Sequence, residues 1–238
     1  MKTKPLIFFL ALTLILTVTS VKGETLEDMV KDKNVLRSLK KIQKEIARSR
    51  MLNYSDEASP GWLAYIRGDS KKAFEILKPL AEKGNYRAQY YFGRMYEIGG
   101  FKNVEGGSVK DRHEEAIKWY QLAAKQGDAD AQYELGSIFY HGRSNQEKNI
   151  RLAVFYYKQA AQNTATVGYL AQSILGKMYS KGEGVIQDYV QAHMWFNVSH
   201  ANGHKKANEL RDDIAKKMTP SQIAEAQKMA RNWEPKNP

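Results

Sequence analysis

Three stretches of this chain repeat one another. They read Ala88-Gln-Tyr-Tyr-Phe-Gly93-Arg-Met-Tyr96, Ala131-Gln-Tyr-Glu-Leu-Gly136-Ser-Ile-Phe139 and Ala171-Gln-Ser-Ile-Leu-Gly176-Lys-Met-Tyr179. Each is followed by a second recurring block: Ala116-Ile-Lys-Trp119-Tyr120, Ala153-Val-Phe-Tyr156-Tyr157 and Ala192-His-Met-Trp195-Phe196. The period is 43 and then 40 residues, counted from Gly93 to Gly136 to Gly176. Self-similarity at that spacing defines a stacked repeat architecture, in which each unit buries its apolar face only against its neighbours.

The blocks read as two helices per unit. A glycine inside a helix costs roughly 1 kcal/mol relative to alanine, so its threefold recurrence implies a close helix–helix approach. A large ring (Tyr96, Phe139, Tyr179) follows three residues later. In the second block a small residue (Ala116, Ala153, Ala192) precedes a ring (Trp119, Tyr156, Trp195) by three places, on one helix face. Gly99, Gly142 and Gly182 suit the left-handed position that ends a helix. Asp188-x-x-Gln191 and Asp111-x-x-Glu114 resemble capping boxes, and Asn149 takes the cap position of the middle unit.

A degenerate copy, Gly68-Asp69-Ser-Lys-Lys-Ala73-Phe74, precedes the three full units. The predicted organisation is a degenerate repeat over 58–84, full repeats over 85–128, 129–168 and 169–203, and a C-terminal helical cap over 204–238. Thr219-Pro220-x-Gln222 marks a helix start within the cap. The fold class expected is all-α: an α/α solenoid closed by a C-terminal capping helix. Extra residues fall in 99–112 and 163–168, where loops of a solenoid often carry recognition.

The first 23 residues read as a signal peptide. Lys2 and Lys4 precede an apolar run from Leu6 to Val18, which is shorter than the ~20 residues of a comfortable membrane span. Retention as an uncleaved anchor is the alternative. Excluding positions 1–23, with three lysines and no acid, lowers the net charge from +11 to +8. The chain has no cysteine, so neither a disulfide framework nor acyl-lipid attachment is available. A periplasmic or secreted location with no stable membrane span after cleavage is expected. Residues 24–57 form a basic arm in which Val35, Leu39, Ile42 and Ile46 make an apolar stripe among Lys33, Arg37, Lys40, Lys41, Lys44 and Arg48. This arm reads as a cap on the first repeat, a partner-binding element, or a contact to an anionic lipid or polymer surface.

The chain resembles the Sel1-like repeat family of exported bacterial proteins over roughly residues 58–203. The likeness rests on Ala-x-x-x-x-Leu/Phe-Gly-x-Met/Ile-Tyr/Phe, on the turn Gly182-Glu-Gly184-Val185, and on Ala-x-x-Trp/Tyr-Tyr/Phe followed by Ala123-Ala124 or Ala160-Ala161. The middle unit departs from it, with Gly142-Arg-Ser-Asn in place of the Gly-x-Gly-Val turn. The resemblance implies a superhelix related to tetratricopeptide arrays that serves as a non-enzymatic adaptor for protein or peptide partners. A cysteine-rich subgroup of the family is associated with β-lactams. The alternative reading is therefore an envelope enzyme or a peptidoglycan- or β-lactam-directed protein, and the absence of cysteine speaks against it.

Chemistry-bearing patterns point the same way. His193, His200 and His204 are spaced for one helix face, but Asn202-Gly203 interrupts that helix. Gly106-Gly107 lacks the following Lys-Ser/Thr of a phosphate loop, and no Gly-x-Ser-x-Gly elbow occurs. No catalytic, cofactor or metal site and no nucleic-acid partner are expected. Rings alternating with cations, including Tyr90, Tyr91, Tyr120, Tyr133, Tyr157 and Phe196, read mainly as packing, with a peptide or glycan groove as the other use. The candidate contact residues are Phe101 and Lys102 in the expanded loop, Tyr90 and Tyr133 on the repeats, and Arg37 and Lys41 in the arm.

Overall fold

A computed structural model describes residues 57–99, 109–164 and 166–235. The signal segment, the basic arm with Arg37 and Lys41, and the loop bearing Phe101 and Lys102 lie outside the described residues.

The described residues form ten α-helices: α1 (Ser59–Ile66), α2 (Ser70–Glu82), α3 (Tyr86–Glu97), α4 (Val109–Lys125), α5 (Ala129–His141), α6 (Ile150–Ala160), α7 (Thr166–Lys181), α8 (Tyr189–Ala201), α9 (Ala207–Ala215) and α10 (Pro220–Arg231). They contain no strand, and the fold is an all-α solenoid. The hairpins α3/α4, α5/α6 and α7/α8 are the three full repeats, preceded by α1/α2. Each hairpin packs on the next through its second helix.

The repeated glycines explain the hairpins. A Cβ on Gly93 would lie 2.8 Å from the Tyr120 ring, one on Gly136 2.8 Å from Tyr157, and one on Gly176 2.5 Å from Phe196. No real Cβ makes such contacts, so only glycine lets these rings lie flat on the first helix. The rings are essentially inaccessible. The ring that fills the glycine notch is thus the second of each aromatic pair. Trp119 and Tyr156, the first members, instead meet Phe92 edge-on at 5.2 Å and stack on Phe139 at 5.8 Å.

The helix starts follow from side-chain caps. Asp69, Asn85, Asp128, Asn149 and Asp188 each accept a hydrogen bond from the backbone N–H three residues on. Thr219 and Gln222 complete a reciprocal capping box. Asp111 does not cap α4, because the helix begins two residues earlier at Val109; the acid sits in the first turn, where it still favours the helix dipole. Within the 163–168 insertion Asn163 and Thr164 are an exposed link, and the three extra residues go to the start of α7. They lengthen α7 to 16 residues against 13 in α5, and a Cβ on Gly168 would overlap the Asn163 carbonyl.

The C-terminal cap consists of two helices. Both α9 and α10 pack on α8. Ala226 of α10 is fully buried in one cluster with Met194, Trp195 and Val198, and Trp233 meets Trp195 edge-on at 6.2 Å. This covers apolar surface that the last unit of a solenoid would otherwise expose.

Candidate partner-binding groove

Most polar side chains near the aromatic faces already have partners within the array. Gln89, Gln132 and Gln172 occupy one position in three repeats, and each carboxamide donates to a carbonyl at the end of the preceding unit: Ala81, Ala124 and Ala161. These glutamines tie unit to unit. Their recurrence is visible in the sequence, but the carbonyls they serve are not.

Between the first and second full repeats, Arg87 reaches Asp128 at 2.9 Å and Asp130 at 2.6 Å. Burial disfavours the Arg87 charge, but the two carboxylates outweigh it and raise the pKa above the ordinary arginine value. A second cluster centres on Glu97, which accepts from Arg143 at 2.7 Å, Ser144 at 3.0 Å and Tyr120 at 2.8 Å. Arg143 also pairs with Glu134 at 2.6 Å. Burial and then Glu97 push the Tyr120 hydroxyl upward, so it stays a donor.

The predicted contact residues fall into different settings. Tyr90 is buried, its hydroxyl accepts from Arg94 at 3.1 Å, and it packs beside Tyr120. Tyr133 is half-buried and meets the Tyr157 ring edge-on at 5.6 Å. The structure brings neither onto an open surface with the other. The three histidines are separate as well. His193 is buried beside Asn197, His200 is exposed, and His204 lies past the helix end with its ring stacked on Tyr169. Gly203, at φ 112°, makes the break between the last two. Among the described residues, no three metal-ligating side chains gather, and no helix is long and apolar enough to cross a membrane.

A groove of about 1180 Å³ lies open between the ends of α4 and α6 and the start of α5. Five carboxamides line it: Gln121, Gln126, Gln159, Gln162 and Asn163, with Gln132 at its buried edge. Lys125 and Lys158 supply its charge, and among the described residues no carboxylate lines it. Phe155 is 52% exposed there and stands at 74° to Tyr156. Of these residues only Gln132 and Tyr156 carry the repeat signature, so the groove is not visible in the recurring letters.

The Sel1 repeat profile matches residues 60–85, 87–128, 129–164 and 170–204. The chain belongs to the Sel1 repeat family, whose repeats are protein-interaction modules. It is 30% identical over 141 residues to the ERAD-associated E3 ubiquitin-protein ligase component HRD3A of Arabidopsis thaliana, a match covering 57% of this chain and 20% of that protein. It is 29% identical over 157 residues to an exopolysaccharide production negative regulator of Rhizobium meliloti, covering 62% of this chain and 56% of the relative. A solved Sel1 repeat protein from Oxalobacter formigenes superposes with a TM-score of 0.50 at 34% identity, over 58% of this chain and 95% of that one. The chain therefore spans about a fifth of the plant relative and about half of the bacterial regulator.

Proposed function

We propose that this chain is an exported, non-enzymatic scaffold that holds a protein or peptide partner in the cell envelope or at a host interface. One observation carries the reading. The repeat array commits the rings in its glycine notches to holding its own hairpins and the ion pairs of Arg87 and Arg143 to joining two units, and leaves a large amide-lined groove beside them. Rings locked in glycine notches and arginines held by two carboxylates are poor candidates for turnover chemistry, whereas a rigid groove lined by carboxamides and two lysines suits binding. Membership of a family of interaction modules supports the same reading, as do relatives named as a ligase component and a regulator. Export is supported by the Lys2/Lys4 and Leu6–Val18 pattern. In this reading the arm at 24–57, with Arg37 and Lys41, and the loop at Phe101 and Lys102 are further contact points beside Tyr133.

The test is site-specific photo-crosslinking in the native host, with the probe placed at Phe101 and at Tyr133, followed by mass spectrometry. One stoichiometric partner recovered at either position is the expected result. Absence of any partner at both positions, with the protein folded and expressed, overturns the scaffold reading. A fusion reporter active only outside the cytoplasm tests export separately.

A further inference from the structure

The repeat equivalence compares the groove with a place where the chain covers itself. Ala153 of α6 corresponds to Ala192 of α8, so Phe155, Tyr156 and Gln159 correspond to Met194, Trp195 and Val198. On α8 those three are 5%, 7% and 3% exposed, in one apolar cluster with Ala226 of α10. That surface receives a helix. A helix satisfies its own backbone hydrogen bonds, and so asks its neighbour only for apolar contact.

On α6 the same surface is uncovered and its chemistry differs. Phe155 is 52% exposed. Gln159 stands where α8 has valine, and it has no hydrogen-bond partner among the described residues. Across the groove are Gln121, beside the Tyr156 hydroxyl, and Gln126, which donates to Gln89 at 2.8 Å. The Gln159 carboxamide would be left unmatched under a helix, because it offers a donor and an acceptor that a helix surface does not need. It does match a backbone that lacks internal hydrogen bonds.

We propose that the groove between α4 and α6 binds an extended, acidic polypeptide segment of the partner. This rests on the scaffold reading and specifies its ligand. Gln121 and Gln159 pair with the peptide's N–H and C=O groups. One apolar side chain of the segment enters the corner between Phe155 and Tyr156. Carboxylates of the segment pair with Lys125 at the end of α4 and with Lys158, whose ammonium lies 5.5 Å from the Tyr179 ring. Two cations with no lining carboxylate favour an acidic chain and disfavour this protein's own basic arm. The rings also select against a sugar chain. They meet at 74°, and the Tyr156 ring is stacked at 6° on Phe139, so the pair forms a corner rather than a flat platform.

The experiment uses the full chain and a positional-scanning library of fluorescein-labelled, N-acetylated decapeptides, read by fluorescence anisotropy, with polygalacturonate oligomers as the competing probe. Selection is expected for Asp or Glu at two positions flanking Leu, Phe or Tyr. Phe155→Ala and the double variant Lys125→Glu/Lys158→Glu should each weaken the best pool at least tenfold, and Gln159→Ala at least threefold. Phe155 and both lysines are exposed, so these variants keep the fold, with circular dichroism as the check. No selection for acidic residues, or affinity unchanged in the double lysine variant, overturns the proposal. So does polygalacturonate binding that is lost in Phe155→Ala while no peptide pool binds. Failure here leaves the scaffold reading standing if the crosslinks at Phe101 or Tyr133 still recover a partner.

Discussion

Two junctions in this molecule solve the same geometric problem with different chemistry. Between the first and second full repeats, Glu97 at the end of α3 meets Arg143 in the next unit's turn at 2.7 Å. One repeat later the corresponding positions are Tyr140 and Glu183, and a hydroxyl donates to a carboxylate at 2.6 Å. The first junction adds Glu134 and the Arg87–Asp128–Asp130 group, so it is an ionic seam. The second uses packing: Gly184, at φ 70°, brings its Cα against the backbone and side chain of Ile150. A repeat therefore conserves the place of a contact without conserving its charge. The two seams should respond differently to substitution, salt and pH.

The largest difference is expected at Arg143. Arg143→Ala leaves Glu97 and Glu134 facing each other with Tyr120 and Ser144 as the remaining donors to Glu97. Losing one partner of a buried pair costs 3–5 kcal/mol; Arg143 is 38% exposed, which brings the expected loss to about 2–3 kcal/mol in urea unfolding. Asp128→Ala comes next. It removes the α5 cap, at about 1 kcal/mol, and one of two carboxylates on Arg87, for a total of about 2 kcal/mol. Tyr140→Phe at the second seam should cost only about 1 kcal/mol, the net worth of a single hydrogen bond. Equal losses for Arg143→Ala and Tyr140→Phe would show that the seams are energetically alike.

Salt sharpens the same contrast. Raising NaCl from 0.05 to 1 M shortens the screening length from well over 10 Å to about 3 Å. Hydrogen exchange in α3 and α5 should accelerate, while α7 and α8 hold their protection. A double variant, Glu97→Tyr/Arg143→Glu, rebuilds the first seam in the pattern of the second and should lose that salt response while staying folded. Retention of the salt response in the double variant would place its origin elsewhere, with Arg87 the next candidate.

The sequence revealed one layer of this and not the other. Glycine at 93, 136 and 176 was legible because it breaks helix propensity at a fixed phase, and the notch it makes is what the structure contains. The caps at Asn149, Asp188 and Thr219 were legible because short polar side chains have few other uses beside a helical pattern. The seams were not. Glu97 and Tyr140 fall outside the recurring letters, and their partners lie 46 and 43 residues away. The 163–168 insertion was misjudged because length alone cannot separate a loop from an added helical turn, and Thr164-Ala-Thr-Val-Gly168 has poor helix propensity. The groove escaped for the opposite reason. Apart from Gln132, its carboxamides and lysines sit at positions whose residues change from copy to copy, so the recurring pattern does not mark them.

The smallest expected effect separates the ionic seam from the C-terminal end of the array by pH. Burial, then Arg211, lowers the His193 pKa from 6.5; burial, then Lys177 and Lys206, lowers that of His204 from 6.5. Both residues belong to the third repeat and its boundary with α9. A histidine depressed in the folded state binds its proton more readily when the chain is unfolded. Stability from these groups is therefore present above about pH 6.5 and is lost as pH falls below it, toward their folded values. Acidification from pH 7.5 to 5.5 should loosen α8 and α9 while leaving α3 and α5 unchanged, as read by hydrogen exchange corrected for the intrinsic rate. The double variant His193→Gln/His204→Gln should flatten that response. If protection instead falls first in α3 and α5, the ionic seam and not these two histidines governs the acid limit of the array.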